Sequence, residues 1–296
     1  MLKSLAKNML NAVGYEVQLM PIGKVQLNRS VAFIHIAKCG GISIDTAMRS
    51  KLAKPGQHRL CRMTSIAASI ASFNKPVMSL DESCQFSEHH LQVLKGILSY
   101  YLSLDQQYIS GHWPVDSQIL QYHYQTTDFI TLLRDPVERF KSNYIFNKLS
   151  NNLSVMRPNA LRNDNLIEEA DEIVFGLRGW QMANTQTAFI TGKYPRDQSH
   201  ATQLQQEFQE NIKKFKIVGF LDALEQFENQ FSSTYGVSLN IKKKNKTNDQ
   251  KGPNKVHIHD TLKDYFSQKN VHRHIETICK NDIYNIEKAK EIYLGK

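Results

Sequence analysis

Cysteine is scarce: four in 296 residues, at Cys39, Cys61, Cys84 and Cys279. None forms a C-x-x-C pair, which excludes a zinc knuckle and a thioredoxin-like redox site, and their scatter excludes a disulfide framework. A reducing, cytoplasmic setting is the simplest reading. Long apolar runs are also missing. A signal peptide needs an unbroken apolar stretch of about 7–15 residues and a membrane span about 20. Residues 1–31, interrupted by Lys3, Lys7, Glu16, Lys24 and Arg29, offer neither. There is no internal repeat, no clean linker and no basic stripe interleaved with aromatics, so a nucleic-acid module is not indicated. What is present is an ordinary globular balance, 41% hydrophobic and 22% charged, with a formal charge of +9. That excess suits an anionic ligand or surface.

The length fits one large α/β domain over residues 1–296, with 1–30 as an N-terminal extension and 242–256 as a basic loop. Val31–Ile36 is a mostly apolar run of the kind a buried parallel strand shows, broken at Ala37-Lys-Cys-Gly-Gly41. A helix is predicted over Ile42–Leu52, so the segment opens as a nucleotide-type strand–turn–helix unit. Helices are expected over Cys61–Phe73 and Glu88–Leu104, then a short strand at Tyr108–Ser110 running into Gly111-His112. Asp128–Leu133 is a strong strand, and Asp135-Pro136 a good helix start for a run to Leu149. Asn151–Asn165 reads as a loop, and Ile167–Ile190 as one or two helices broken near Gly176 or Gly179. Beyond these come a helix over Gln203–Lys214 capped by Thr202, a strand at Lys216–Gly219 and a helix over Ala223–Tyr235. A lysine-rich loop at Lys242–Lys255 follows, then helices over Asp260–Lys269 and Val271–Leu294.

Two segments carry chemistry. In Lys38-Cys39-Gly40-Gly41-Ile42-Ser43, paired glycines at a strand-to-helix turn let the backbone approach a ligand and turn its N–H groups toward it. The helix N-terminus adds about 1–2 kcal/mol for an anion. Lys38 supplies a full charge and Ser43 a hydroxyl. The lysine precedes the glycine pair, so this is not a Walker A loop, which ends Gly-Lys-Ser/Thr. On its own the segment also reads as a plain strand–helix turn with an exposed lysine. In the second segment, Leu132-Leu-Arg-Asp-Pro-Val-Glu-Arg-Phe-Lys-Ser-Asn-Tyr144, Arg134 stands at a strand end, where open α/β sheets bind ligands. It is placed for a second phosphate, with Ser142 about two turns into the helix. A charge-assisted arginine bond contributes about 1.5–3 kcal/mol. Glu138 and Arg139 also fit a salt-bridged helix start.

Together the two segments resemble the nucleotide-binding motifs of sulfotransferases that use 3′-phosphoadenosine 5′-phosphosulfate, in the glycan branch of the heparan sulfate 2-O- and 6-O-enzymes. Lys38-Cys-Gly-Gly41 is similar to that family's 5′-phosphosulfate loop, and Arg134-Asp-Pro-Val-Glu-Arg-Phe-Lys-Ser142 to its 3′-phosphate site. Asn184-Thr-Gln-Thr-Ala-Phe-Ile-Thr-Gly192, Val218-Gly-Phe-Leu221, Asn245-Lys-Thr247 and Asn281-Asp-Ile-Tyr284 resemble further elements, so the likeness spans residues 30–295. The family's Pro-Lys-Thr-Gly-Gly-Thr is altered here at Ala37, Cys39 and Ile42. Backbone donors survive these changes, and Ser43 stands in for one of two lost hydroxyls.

The resemblance implies a P-loop-like three-layer α/β fold, with a central, mainly parallel sheet flanked by helices. It implies transfer of a sulfuryl group to an acceptor hydroxyl, which an acidic glycan would supply, by in-line displacement that requires no metal ion. Lys38 would stabilise the leaving group and His112, in Ser110-Gly-His-Trp-Pro114, would be the general base. Some relatives carry a second histidine where this chain has Ser110. Lys246, within Asn245-Lys-Thr247, is the candidate nucleotide contact in the basic loop; the same lysines also fit a plain solvated loop. His35 reads as a core residue of its strand, and His257, His259, His272 and His274 as solvated side chains rather than metal ligands. Absence of the membrane anchor of Golgi relatives points to a bacterial cytoplasmic enzyme, free or peripheral to a membrane. The alternatives are a P-loop-type nucleotide kinase and an inactive nucleotide- or anion-binding relative.

Overall fold

The computed structural model describes residues 9–10, 12–13, 22–55, 57, 62–104, 106–150, 165–241 and 253–295. Its centre is a sheet of four parallel strands: β1 (Ser30–Ile34), β2 (Tyr108–Gly111), β3 (Thr127–Leu133) and β4 (Ile217–Phe220), in the order β2-β1-β3-β4. Ile34 pairs with Gly111 on one side and Thr131 on the other, and Leu133 pairs with Phe220.

Helices cover both faces, and strand alternation sorts the side chains between them. Val31, Phe33, Tyr108, Ile130, Leu132 and Ile217 pack against α1 (Gly41–Leu52) and α10 (Leu224–Tyr235). The intervening positions, among them Ala32, Ile34, Ile109, Phe129 and Leu133, face the opposite core. That core is filled from α3 (Leu80–Leu102), α4 (Ser117–His123), α8 (Thr185–Thr191), α9 (Gln198–Ile212) and α12 (Lys269–Leu294). A third cluster joins α5 (Pro136–Leu149), α6 (Leu166–Val174), α7 (Leu177–Ala183) and α11 (Pro253–Ser267) to α12. This is the expected three-layer α/β architecture. The chain leaves β1 toward β2 on one side and β3 toward β4 on the other, so the strand order reverses between β1 and β3. Crevices at such reversals, beyond the carboxyl ends of the strands, are where this class of sheet binds ligands.

Several boundaries differ from the sequence expectation. α3 starts at Leu80, not Glu88, because Ser79 accepts from the Glu82 N–H at 3.1 Å while Glu82 Oε2 accepts from the Met78 N–H at 2.7 Å. This reciprocal cap turns a polar, loop-like stretch into a first turn. α9 begins at Gln198 under Asp197, which accepts from the His200 N–H at 2.8 Å; Thr202 lies inside the helix, bonded back to the Gln198 carbonyl. Residues 166–191 form three helices, with breaks at Gly176 and Asn184. α4 had no sequence signal beyond Asp116, its cap. α11 begins at Pro253, so Lys255 belongs to a helix, whereas positions 242–252, with Lys246, lie outside the described residues. So do Cys61 and positions 151–164 of the expected polar loop. The helix that runs on from there, α2 (Arg62–Phe73), packs against α3. Among the described residues no helix is long and apolar enough to cross a membrane.

Candidate active site

The two chemical segments meet at the β1/β3 reversal. Arg134, the first residue past β3, donates from Nη1 to the backbone carbonyl of Lys38 across 2.9 Å, although 96 positions separate them in sequence. Two cationic side chains are thereby held at one crevice. Neither has a carboxylate partner among the described residues, which is the arrangement an anion would complete.

The β1 loop is shaped for that contact. Lys38 sits at φ 68°, a left-handed conformation rare for a residue with a Cβ, and Gly40 follows at φ 81°. A Cβ on Gly40 would also stand 2.8 Å from Leu221 Cδ1, so the turn that follows β4 closes over the loop from the other side. α1 starts at Gly41 with no side-chain cap; within its first turn the Ser43 N–H bonds the Gly40 carbonyl at 3.3 Å. Ile42 is 46% exposed, and Ser43 is half-buried in the first turn.

Lys38 is half-buried and its Nζ lies 4.1 Å from the centroid of the Phe146 ring on α5. Burial, and then the charge of Arg134, lower its pKa to about 8. Ser142 is one helical turn before Phe146 and therefore on the same face of α5. The face that receives the Lys38 ammonium thus also carries Ser142, which is half-buried and makes no side-chain hydrogen bond among the described residues. Cys39 is the opposite of a reactive thiol: it is 1% exposed and burial pushes its pKa up to about 12.

His112 lies half-buried just beyond β2, with its Nδ1 2.7 Å from the carbonyl oxygen of His35. Its ring stacks on that of His35, centroids 4.3 Å apart. His35 therefore departs from the core role expected of it. It stands half-buried one residue past β1, its N–H bonded to the Gly111 carbonyl at 2.9 Å. Its ring lies against the start of α1, where a Cβ on Gly41 would come within 2.1 Å of it. Parallel pairing of β1 and β2 is what sets the two imidazoles side by side. Ser110, where some relatives carry a histidine, points instead into a buried network. It donates to Asp45 Oδ1 at 2.5 Å and accepts from Arg49 Nη2 at 2.6 Å, and Tyr108 donates to the same carboxylate oxygen at 2.9 Å. That network ties α1 to β2.

Two further residues were missed by sequence reasoning. Gln186 on α8 bonds both backbone groups of Arg134, and Asp282 on α12 accepts the N–H of Gln186 at 3.0 Å and of Thr187 at 2.9 Å. Both are fully buried. Gln186 lies in the polar stretch Asn184-Thr-Gln-Thr187 and Asp282 in Asn281-Asp-Ile-Tyr284, where nothing in the sequence singles out either side chain.

Among the described residues no group of three or more His, Cys, Asp or Glu is gathered as a metal site. His259 contacts Asp260, His272 lies 3.4 Å from Glu276, and His274 bonds the Val174 carbonyl. No family model matches the chain, and no curated protein matches it either.

Proposed function

We propose that this chain is a sulfotransferase that moves a sulfuryl group from 3′-phosphoadenosine 5′-phosphosulfate to the hydroxyl of an acceptor. The observation that carries the reading is the Arg134–Lys38 contact, which joins the two motifs resembling that family's phosphate sites at the reversal point of a parallel sheet. In this reading the Gly40–Ser43 amides and Lys38 hold the 5′ end of the donor, and Arg134 with Ser142 the 3′-phosphate. Cys39 holds its place in that loop through its backbone, its thiol turned into the core.

The acceptor oxygen forms its bond to sulfur as the bond from sulfur to the bridging oxygen breaks. His112 accepts the hydroxyl proton. Lys38, itself part of the loop, swings from Phe146 and donates to the bridging oxygen as charge develops there. An acidic glycan fits the +9 charge as acceptor. The fit of the donor rests on charge: two cations and an uncapped helix start at one crevice match a ligand phosphorylated at two positions.

Calorimetric titration with 3′-phosphoadenosine 5′-phosphate tests the reading, with ATP and Arg134→Ala as controls. Binding that ATP does not match and that Arg134→Ala weakens by about 10–100-fold is expected, the equivalent of a charge-assisted bond of about 1.5–3 kcal/mol. A preference for ATP would replace the sulfotransferase with a kinase.

A further inference from the structure

Arg134 has left the β3 ladder, so its part-buried backbone groups need partners from elsewhere. Gln186 supplies both: its Oε1 accepts from the Arg134 N–H at 3.0 Å and its Nε2 donates to the Arg134 carbonyl at 2.9 Å. The same Oε1 accepts from Cys39 Sγ at 3.6 Å, so one amide touches both anion-binding loops.

Gln186 cannot drift with either loop, because α8 is anchored independently. Asp282 takes the Gln186 and Thr187 N–H groups and the Thr187 hydroxyl, the last at 2.5 Å. Asn281 and Asn285 donate to the same hydroxyl oxygen at 3.1 and 2.8 Å. The run from α12 through α8 to Cys39 is buried and hydrogen-bonded at each step, and the step from Gln186 to Arg134 is part-buried.

We propose that Gln186 is a positioning residue that fixes the spacing between the two phosphate subsites, so that a doubly phosphorylated nucleotide gains more from its second phosphate than either loop could give alone. This rests on the donor reading above. In chemical terms the ligand selected is a nucleotide with phosphates on both the 3′ and 5′ oxygens, against one carrying either alone.

The competing account is that Gln186 only stabilises the fold, and affinity for one ligand would not separate the two. The experiment is therefore a comparison of adenosine 5′-phosphate, adenosine 3′-phosphate and 3′-phosphoadenosine 5′-phosphate on wild type, Gln186→Leu and Gln186→Glu, below the unfolding temperature of each. Positioning predicts that Gln186→Leu loses about tenfold or more of the advantage of the bisphosphate, while each monophosphate changes by less than about threefold. Gln186→Glu has the same shape and keeps the oxygen that accepts from Arg134 and Cys39, so it should fall between. It keeps the test alive if the leucine variant does not fold. Equal weakening of all three ligands, or no change, would overturn positioning and leave the donor reading standing. A wild type that gains nothing from the second phosphate would instead remove the donor reading, and the role of Gln186 with it.

Discussion

His112 directs Nδ1 at the carbonyl oxygen of His35, 2.7 Å away, while the two rings stack at 4.3 Å. A carbonyl only accepts, so Nδ1 carries the proton and the neutral ring has its lone pair on Nε2. The backbone just past β1 thereby sets the tautomer that a general base requires. His112→Ala should lower transfer by about 10²–10⁴-fold with binding of 3′-phosphoadenosine 5′-phosphate unchanged. His35→Phe keeps a stacking ring but no nitrogen. Transfer within about tenfold of wild type leaves the base at His112; a loss as deep as that of His112→Ala would give His35 an equal part.

In the proposed reading, Lys38 makes nucleotide binding depend on pH in a defined direction. With its pKa lowered to about 8 by burial and by Arg134, the empty site is cationic at this position below pH 8 and neutral above it. A bound anion favours the charged form and raises the pKa, so binding takes up a proton near pH 8–9 and affinity falls as pH rises through that range. The nucleotide phosphates, with second pKa values of about 6, are already ionised there and do not mask the effect. Calorimetry in buffers of different ionisation enthalpy reads the proton directly. Lys38→Met should abolish the uptake, and a wild type that binds without it would place the lysine away from the ligand.

How much of this was legible in the sequence follows from what each feature depends on. β1, β3 and the Asp135-Pro136 helix start are local patterns, apolar runs and caps, and they fall within a residue or two of expectation. The loop at Lys38–Ser43 and the strand-end arginine were legible for the same reason. The start of α3 was not, since Asp81, Glu82 and Ser83 look like loop until Ser79 and Glu82 are seen to cap each other. His35 was misread because its strand is buried on both faces, and only the β1–β2 pairing shows that the sheet ends one residue before it. Gln186 and Asp282 act through contacts 52 and 96 positions apart, and no local pattern encodes such a pairing.

Gly41 is required by His35 rather than by its own backbone angles. A Cβ there would lie 2.1 Å from His35 Cδ2 and 2.3 Å from Nε2, well inside contact distance. Gly41→Ala should therefore push the imidazole off α1 and out of its stack with His112. Gly41 is the first residue of α1, with no positive φ, so alanine there leaves the helix start intact. The expected result is a folded protein with changed histidine side-chain resonances and reduced transfer. Unchanged resonances would mean that the ring is not held against the helix.

Asp282 bears on stability through the groups it satisfies. It is fully buried, accepts three hydrogen bonds from Gln186 and Thr187, and has its pKa raised, because burial outweighs the charge of Arg139 and those bonds. Asp282→Ala would strip the acceptor from three buried donors at about 1–3 kcal/mol each, less than additively. A loss of about 3–5 kcal/mol is expected, seen as a lower denaturation midpoint. Asp282→Asn keeps an acceptor oxygen and should cost far less. The sign of the pH effect also follows. With the folded-state pKa above the unfolded one, the contribution of this carboxyl is greatest below the unfolded value of about 3.9 and falls as pH rises through the folded value. The asparagine variant should therefore lose less stability than wild type between acid and neutral pH. Parallel stability curves for the two proteins would show that the carboxyl keeps its ordinary pKa in the folded state.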